Sequence, residues 1–327
     1  MRTLSARIER FETAQPFAIA RGVKTHVEVV VAEVRDGPRV GRGEGTPIDY
    51  RGDSAAAALE ALLAMREAVA DGAGRADLLD LMAPGAARNA LDAALWDLEA
   101  RQAGQRVWQL IGLPEPRPLL TAFTISLGDP GRMERAARAA AGRELLKVKL
   151  GVGEGDVERL AAVRRAAPHA RLIVDANAGW AGQDVERLLH DVAALGAELV
   201  EQPLPPGEDA ALARVRAPVP LCADESCHDR ASLGSVVGRY AMVNIKLDKA
   251  GGLTEALALA HAARVRGIGV MVGCMLSTSL GIAPAFHVAM QASHADLDGP
   301  LLLASDRPHG LRFEGSDIHP PSQHLWG

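Results

Sequence analysis

Five reactive side chains, Lys149, Asp175, Glu201, Asp224 and Lys246, stand at the ends of five successive short apolar runs, at spacings of 26, 26, 23 and 22 residues. Each spacing is about one strand, one helix and a pair of loops. Units of that kind closed into a barrel bring the C-terminal ends of their strands to one rim, where barrel enzymes build active sites. The spacing therefore predicts that all five residues share one mouth. Asp175, Glu201 and Asp224 offer carboxylate oxygen, with no paired histidine or cysteine, which suits a hard cation such as Mg²⁺ rather than zinc. That cation would hold a substrate carboxylate and stabilise the enediolate left when the neighbouring α-proton departs. Lys147 and Lys149 are two apart on a strand, so both face the barrel interior. Mutual repulsion and a nearby cation are expected to lower a lysine from about 10.4 toward 7–8, where it serves as a general base. Lys149, nearer the strand end, is the expected base, and Lys246, four strands further round, faces it across the mouth. Two such bases take a proton from one face of a carbon and return it to the other. The competing reading is that Lys246, Asp248 and Lys249 form a solvated loop with internal ion pairing.

The elements that must position these residues follow a recognisable order. Val27–Val34 is a β-branched run ending at Asp36-Gly37-Pro38, and residues 55–70 and 86–103 are alanine-rich with helical spacing, an α+β pattern. A proline-rich linker covers residues 113–118. Beyond it, strands are expected at 121–127, 145–150, 172–175, 199–201, 220–224, 242–246, 269–273 and 295–298, alternating with helices. Eight strands in βα alternation predict an α/β barrel.

The 327 residues accommodate such a barrel and a second domain, and a net charge of −5 supplies no basic field for nucleic acid or an anionic membrane. A small-molecule partner is expected, and a homo-oligomer is compatible with this composition. Cys222, Cys227 and Cys274 are too few for a disulfide framework, and residues 1–10 lack a secretory apolar core, so a cytoplasmic location is expected. Residues 267–291 carry no Asp, Glu, Lys or Arg, yet serines, a proline and glycines interrupt them, which fits a buried strand, loop and helix better than a membrane span. Gly151, Gly153 and Gly155 imitate a dinucleotide-binding turn, but Asp156 stands at the third fingerprint position. Cys222, Cys227 and His228 lack the second pair of ligands a zinc site needs and are expected as buried cysteines and a surface histidine. Met271, Met275, Met290 and Phe286 are expected to pack the core.

The ordered set Lys147-Val148-Lys149, Asp175-Ala176-Asn177, Glu201-Gln202-Pro203-Leu204-Pro205, Ala223-Asp224-Glu225-Ser226 and Asn244-Ile245-Lys246 resembles the muconate-lactonising subgroup of the enolase superfamily. The resemblance implies a (β/α)7β barrel over residues 116–304. It also implies an α+β capping domain built from residues 1–115, to which the tail 305–327 returns. It implies further that Asp175, Glu201 and Asp224 ligate Mg²⁺ and that Lys149 and Lys246 are the acid/base pair. Lys147 would assist, with Asn177 and Glu225 supporting the ligands. Asp296-Leu297-Asp298 is similar to the Asp-x-Asp of dipeptide epimerases, in which two carboxylates would grip a dipeptide's free ammonium. The segments 16–22, 86–92, 222–228 and 246–249 look like those of bacterial L-Ala-D/L-Glu epimerases, in which Arg21, on a capping loop, would pair with a glutamyl side-chain carboxylate. The implied activity is dipeptide epimerisation in murein peptide recycling. The alternatives in the same subgroup are N-acylamino acid racemase, o-succinylbenzoate synthase and an epimerase of other dipeptides.

Overall fold

Alternation of apolar and polar residues at the N-terminus produces three antiparallel strands, β1 (Thr3–Ile19), β2 (Gly22–Asp36) and β3 (Arg39–Gly45). The computed structural model describes residues 2–153 and 155–327. The expected strand at Val27–Val34 is the buried centre of β2, and the predicted helix over 86–103 is observed as Ala86–Ala103. The alanine-rich stretch 55–70 is two helices, Ala55–Ala64 and Arg66–Ala70, which meet at Met65.

Helix Ala86–Ala103 lies unusually close to β3 because that strand alternates glycine. A Cβ at Gly41, Gly43 or Gly45 would stand 2.1 Å from the carbonyl oxygen of Ala94, Ala90 or Ala86 respectively. The period of two on the strand thus meets the period of four on the helix, backbone against backbone.

Residues 113–118 carry no regular structure. After them come a short β4 (Leu119–Leu120) and eight strands: β5 (Phe123–Ile125), β6 (Leu145–Lys149), β7 (Arg171–Asp175), β8 (Ala197–Glu201), β9 (Leu221–Ala223), β10 (Met242–Ile245), β11 (Gly269–Gly273) and β12 (His294–Asp296). They pair in sequence order and all in parallel, as a nearly closed barrel whose edges meet through Ala122 N–H donating to the Ala295 carbonyl at 2.8 Å. This is the expected architecture, a barrel beside a separate antiparallel sheet. Only the strand at 269–273 keeps both expected ends; among the others β5 is shorter than 121–127, β12 begins at His294, and Asp224 and Lys246 follow β9 and β10 directly.

The barrel interior is layered with a period of two. Leu145, Ile173, Leu199, Cys222, Met242 and Met271, one from each of β6 to β11, join Ala122 in an apolar floor. Two residues further along the same strands stand Lys147, Asp175, Glu201, Asp224 and Asn244, all buried. A one-residue slip in any strand would exchange its charge for an outward-facing residue.

At the far end of the chain, β13 (Phe313–Glu314) pairs with β14 (Asp317–Ile318), which pairs with β4. The last residues lie against the N-terminal layer: Trp326 Nε1 donates to the Ala93 carbonyl at 3.1 Å, and Val107 N–H donates to the Gly327 carbonyl at 3.3 Å. No helix among the described residues is long and apolar enough to cross a membrane, and residues 267–291 are β11, a loop and the buried helix Ser279–Ala289.

Gly43→Ala should lower stability by about 3 kcal/mol, because the helix must be pushed off β3. Urea unfolding of the variant against the parent checks this, and an unchanged midpoint would mean the contact is soft.

Candidate active site

The mouth of the barrel holds a pocket of about 380 Å³ lined by Lys147, Lys149, Lys246, Asn177, Asp296 and Asp298 from the barrel. From the N-terminal layer come Phe17, Ile19, Arg21, Lys24 and Tyr50. Lys147, Lys149 and Lys246 are 1%, 7% and 7% exposed, and Asp175, Glu201 and Asp224 are no more than 1% exposed. The five spaced residues are therefore brought together, and Lys149 and Lys246 both line the same pocket.

The charges are interleaved. Lys147 Nζ lies 2.8 Å from Glu201 Oε2, 2.8 Å from Asp296 Oδ2 and 3.1 Å from Asp175 Oδ2. Lys149 Nζ donates to Asp175 Oδ2 at 2.6 Å, and Lys246 Nζ donates to Asp224 Oδ2 at 2.7 Å. Burial alone would neutralise these groups, but the neighbouring charges outweigh it for most. Asp175 and Asp224 are held below the usual carboxylate range by the lysines, whereas burial and the charge of Asp175 push Glu201 up to about 7. Lys147 and Lys246 respond to two opposed influences. Burial lowers them, yet the carboxylates, Asp296 first for Lys147 and Asp224 first for Lys246, raise both above the ordinary lysine value. For Lys147 this is the opposite of the lowering expected from repulsion by its neighbouring lysine, since its nearest neighbours are carboxylates.

Among the described residues no three His, Cys, Asp or Glu side chains converge as a finished metal cage. The donor chemistry nonetheless fits a hard cation. Asn177 Oδ1, Glu225 Oε2 and Asp296 Oδ1 are buried acceptors without a hydrogen-bond donor. Beside them Asp175, Glu201 and Asp224, at the ends of the adjacent strands β7, β8 and β9, offer oxygen alone, the donor set an oxygen-preferring ion takes up.

The loops after the strands are held by buried polar groups. Gln202, in a left-handed conformation at φ 38°, receives the N–H groups of Asp224 and Ser226 on Oε1 and donates from Nε2 to the Leu204 carbonyl and Tyr240 Oη. Asn177 and Glu225 sit beside the ligand positions: Asn177 N–H donates to Asp175 Oδ1, and Glu225 pairs with Arg21 at 2.6 Å. Arg21 also donates to the Asn177 carbonyl and stacks 4.8 Å over the Tyr50 ring. Asp298 accepts from Thr124 N–H at 2.6 Å, and burial together with Asp296 pushes it up to about 7. The Asp-x-Asp pair is thus buried in the pocket wall and is no solvated turn.

Three expectations are revised. The solvated-loop reading of Lys246, Asp248 and Lys249 is excluded, because all three are buried. Lys249 Nζ lies 2.7 Å from Asp224 Oδ1 and donates to the Cys227 and Asn244 carbonyls, while Asp248 accepts from Thr46 N–H and Asn89 Nδ2. Met275 lines the pocket instead of the core, although Met271 and Phe286 are fully buried and Met290 packs against the core. His228 is half-buried, not on the surface, whereas Cys222 and Cys227 are buried and free as expected. The dinucleotide imitation dissolves too: Asp156 is buried and accepts from Gly151 N–H, Gly153 N–H and Trp180 Nε1, closing the turn on itself. Sequence reasoning assigned no role to Phe17 and Ile19, although they lie in the segment 16–22, and missed Lys24 and Tyr50, which reach the pocket from a different layer.

With this geometry in place, likeness to known proteins becomes decisive. Residues 132–323 match the family described as enolase C-terminal domain-like, and residues 1–112 match the mandelate racemase / muconate lactonizing enzyme N-terminal domain. The chain belongs to the enolase superfamily. An L-Ala-D/L-Glu epimerase of Escherichia coli (strain K12) is 45% identical over 321 residues, 98% of this chain and 100% of that protein. This superfamily member is accordingly an isomerase. An N-acetyl-D-glutamate racemase of a Pseudoalteromonas species is 44% identical over 77% of this chain and 79% of its own. Among solved structures, an Agrobacterium tumefaciens enolase family member with homology to dipeptide epimerases, holding sodium and L-Ala-L-Glu with an ordered loop, superposes with a TM-score of 0.97. It is 50% identical, and all of both chains is covered. A dipeptide epimerase of Enterococcus faecalis V583, complexed with Mg and L-Leu-L-Tyr, is 29% identical with a TM-score of 0.90 over 97% of this chain and 96% of that one.

Burial pushes Asp248 up to about 7 against its hydrogen bonds from Thr46 and Asn89. A carboxyl raised above its unfolded value of about 3.9 leaves the native state holding the extra proton, so stability falls as pH rises from about 4 to about 7. Asp248→Asn should shrink the loss of stability between about pH 5 and about pH 8 by about 2 kcal/mol, read from urea midpoints. An equally steep loss in the variant would place the titration elsewhere.

Proposed function

We propose that this isomerase is a Mg²⁺-dependent epimerase of L-Ala-D/L-Glu dipeptides acting by a two-lysine 1,1-proton transfer. The observation that carries the reading is the placement of Lys149 and Lys246 in the wall of one pocket, each ion-paired to a carboxylate at the end of a neighbouring strand. Asp175, Glu201 and Asp224 are the residues that would hold the cation. When bound, it supplies Lewis-acid stabilisation of negative charge on the substrate carboxylate. Lys149 and Lys246 act on opposite faces of the α-carbon, one as base and the other, protonated, as acid. Lys147, locked among three carboxylates, holds positive charge beside the enediolate. Asn177 N–H steadies the Asp175 carboxylate, and Glu225, next to Asp224 in the chain, holds Arg21 beside the ligand positions. Asp296 and Asp298 bind the dipeptide ammonium, a role supported by their burial in the pocket wall and the unmatched Oδ1 of Asp296. Arg21 binds the glutamyl side-chain carboxylate and exchanges its contact with Glu225 to do so; the fit rests on its place in the pocket.

The same reading assigns residues 1–115 and 305–327 to the capping unit and 116–304 to the barrel, supported by the docking of Trp326 and Gly327. It carries a cytoplasmic role in recycling murein peptides, supported by the three free cysteines and by the substrate class. Racemisation of N-acylglutamate is the second reading, favoured by the 44% identity to the N-acetyl-D-glutamate racemase.

Proton NMR in D₂O with Mg²⁺ separates them. L-Ala-L-Glu and L-Ala-D-Glu should interconvert with loss of the glutamyl α-proton, chelator should stop this reversibly, and N-acetylglutamate should react far more slowly. Faster reaction of N-acetylglutamate would transfer the assignment to the second reading. Lys149→Ala and Lys246→Ala should each lose epimerisation by at least about 10³-fold, each retaining α-proton exchange from only one epimer. Full epimerisation in either variant would overturn the two-base scheme.

A further inference from the structure

Lys246 lies between β10 and a single helical turn, Leu247–Ala250, for which its own carbonyl accepts the first hydrogen bonds, from Lys249 N–H and Ala250 N–H at 3.0 Å each. One turn has no stability of its own, since nucleation of a helix is unfavourable and too few bonds follow to offset it. The barrel holds one side of it through Lys249 Nζ, which donates to the Asp224, Cys227 and Asn244 carbonyls, and the N-terminal layer holds the other. Arg88 donates from Nε to the Gly251 carbonyl at 2.9 Å and from Nη2 to the Ala250 carbonyl at 2.6 Å, satisfying carbonyls left free at the end of the turn. Asn89 Nδ2 donates to Asp248 Oδ1 at 2.7 Å, and Thr46 N–H donates to the same oxygen at 2.9 Å. Arg88 and Asn89 are 4% and 2% exposed, and no carboxylate is within ion-pairing distance of Arg88 among the described residues. The fit is close: a Cβ on Gly251 would stand 2.5 Å from Arg88 Nε, and one on Gly252 2.6 Å from Asp92 Cβ. Lys149 is held differently. The turn after its strand is tied by Asp156, which accepts from Gly151 and Gly153, so that side is braced from within the barrel.

We propose that Arg88 and Asn89 of the N-terminal layer are positioning residues for Lys246 and so govern proton transfer on one face of the substrate carbon only. The inference rests on the two-lysine reading above. A misplaced Lys246 slows the step it performs while leaving Lys149 free to remove a proton, exchange it with solvent and return it to the same face. Loosening the turn therefore separates exchange from inversion, and it does so for one epimer and not the other. A general loss of folding or of pocket shape would slow exchange and inversion together from both epimers.

The experiment uses the full chain with Mg²⁺ in D₂O and follows α-proton exchange and inversion separately for L-Ala-L-Glu and L-Ala-D-Glu. Asn89→Ala is the principal variant; Arg88→Lys, which keeps the charge but not the forked geometry, is the second. For one epimer, exchange should stay within about twofold of the parent while inversion falls at least about tenfold; for the other, exchange and inversion should fall together. Equal loss of all four rates, or no change in any, overturns the inference. A parent protein that neither exchanges nor inverts overturns the two-lysine reading itself, a result distinct from unequal behaviour of parent and variants.

Discussion

A layer of opposite charges sealed in the barrel mouth is the constraint on which the rest depends. Asp175, Glu201, Asp224 and Asp296 share this space with Lys147, Lys149, Lys246 and Lys249, none more than 7% exposed. Transfer of any one of these charges out of water costs several kcal/mol, and only close pairing offsets it. Each ammonium consequently sits within 3.1 Å of a carboxylate oxygen, and removing a single partner would leave a charge stranded. The layer below is wholly apolar, so the charges cannot sink into the barrel, and the N-terminal layer above limits their access to water. A site built this way is preorganised before substrate arrives.

The surrounding loops keep that layer in register. Gln202 clamps the turn carrying Asp224, Asp156 closes the turn after Lys149, and Asp248 and Lys249 pin the turn after Lys246. These are buried polar groups at strand ends, where backbone N–H and carbonyl groups would otherwise go unsatisfied. The N-terminal layer contributes twice. Helix Ala86–Ala103 braces the Lys246 turn from behind, and the β1–β2 connection brings Arg21 over the mouth, where Glu225, Asn177 and Tyr50 receive it. Two separate parts of the N-terminal layer thus meet the barrel mouth.

The five spaced residues and the helix over 86–103 were legible before any coordinates, because each is a local period that a barrel or an amphipathic element imposes on the chain. The Asp-x-Asp pair and Arg21 were legible only through likeness to a family. The direction of the lysine shifts was not legible: repulsion between Lys147 and Lys149 is apparent from adjacency along the chain, whereas the carboxylates that dominate come from β7, β8, β9 and β12. Tyr50 was missed for the same reason, since a side chain that reaches the pocket from another layer has no periodic mark, whereas Met275 lies in the loop after β11, beyond the alternation of the strand.

Chain order alone therefore settled which residues point into the barrel and at what height, because side-chain alternation and strand spacing are short-range properties. Which charge neutralises which, and which loop braces which lysine, were decided by the closed barrel and its cap, which bring groups more than a hundred residues apart within 3 Å, as Lys147 and Asp296 are at 2.8 Å. Electrostatic energy depends on those distances and on exclusion of water, and neither exists until the chain has closed on itself.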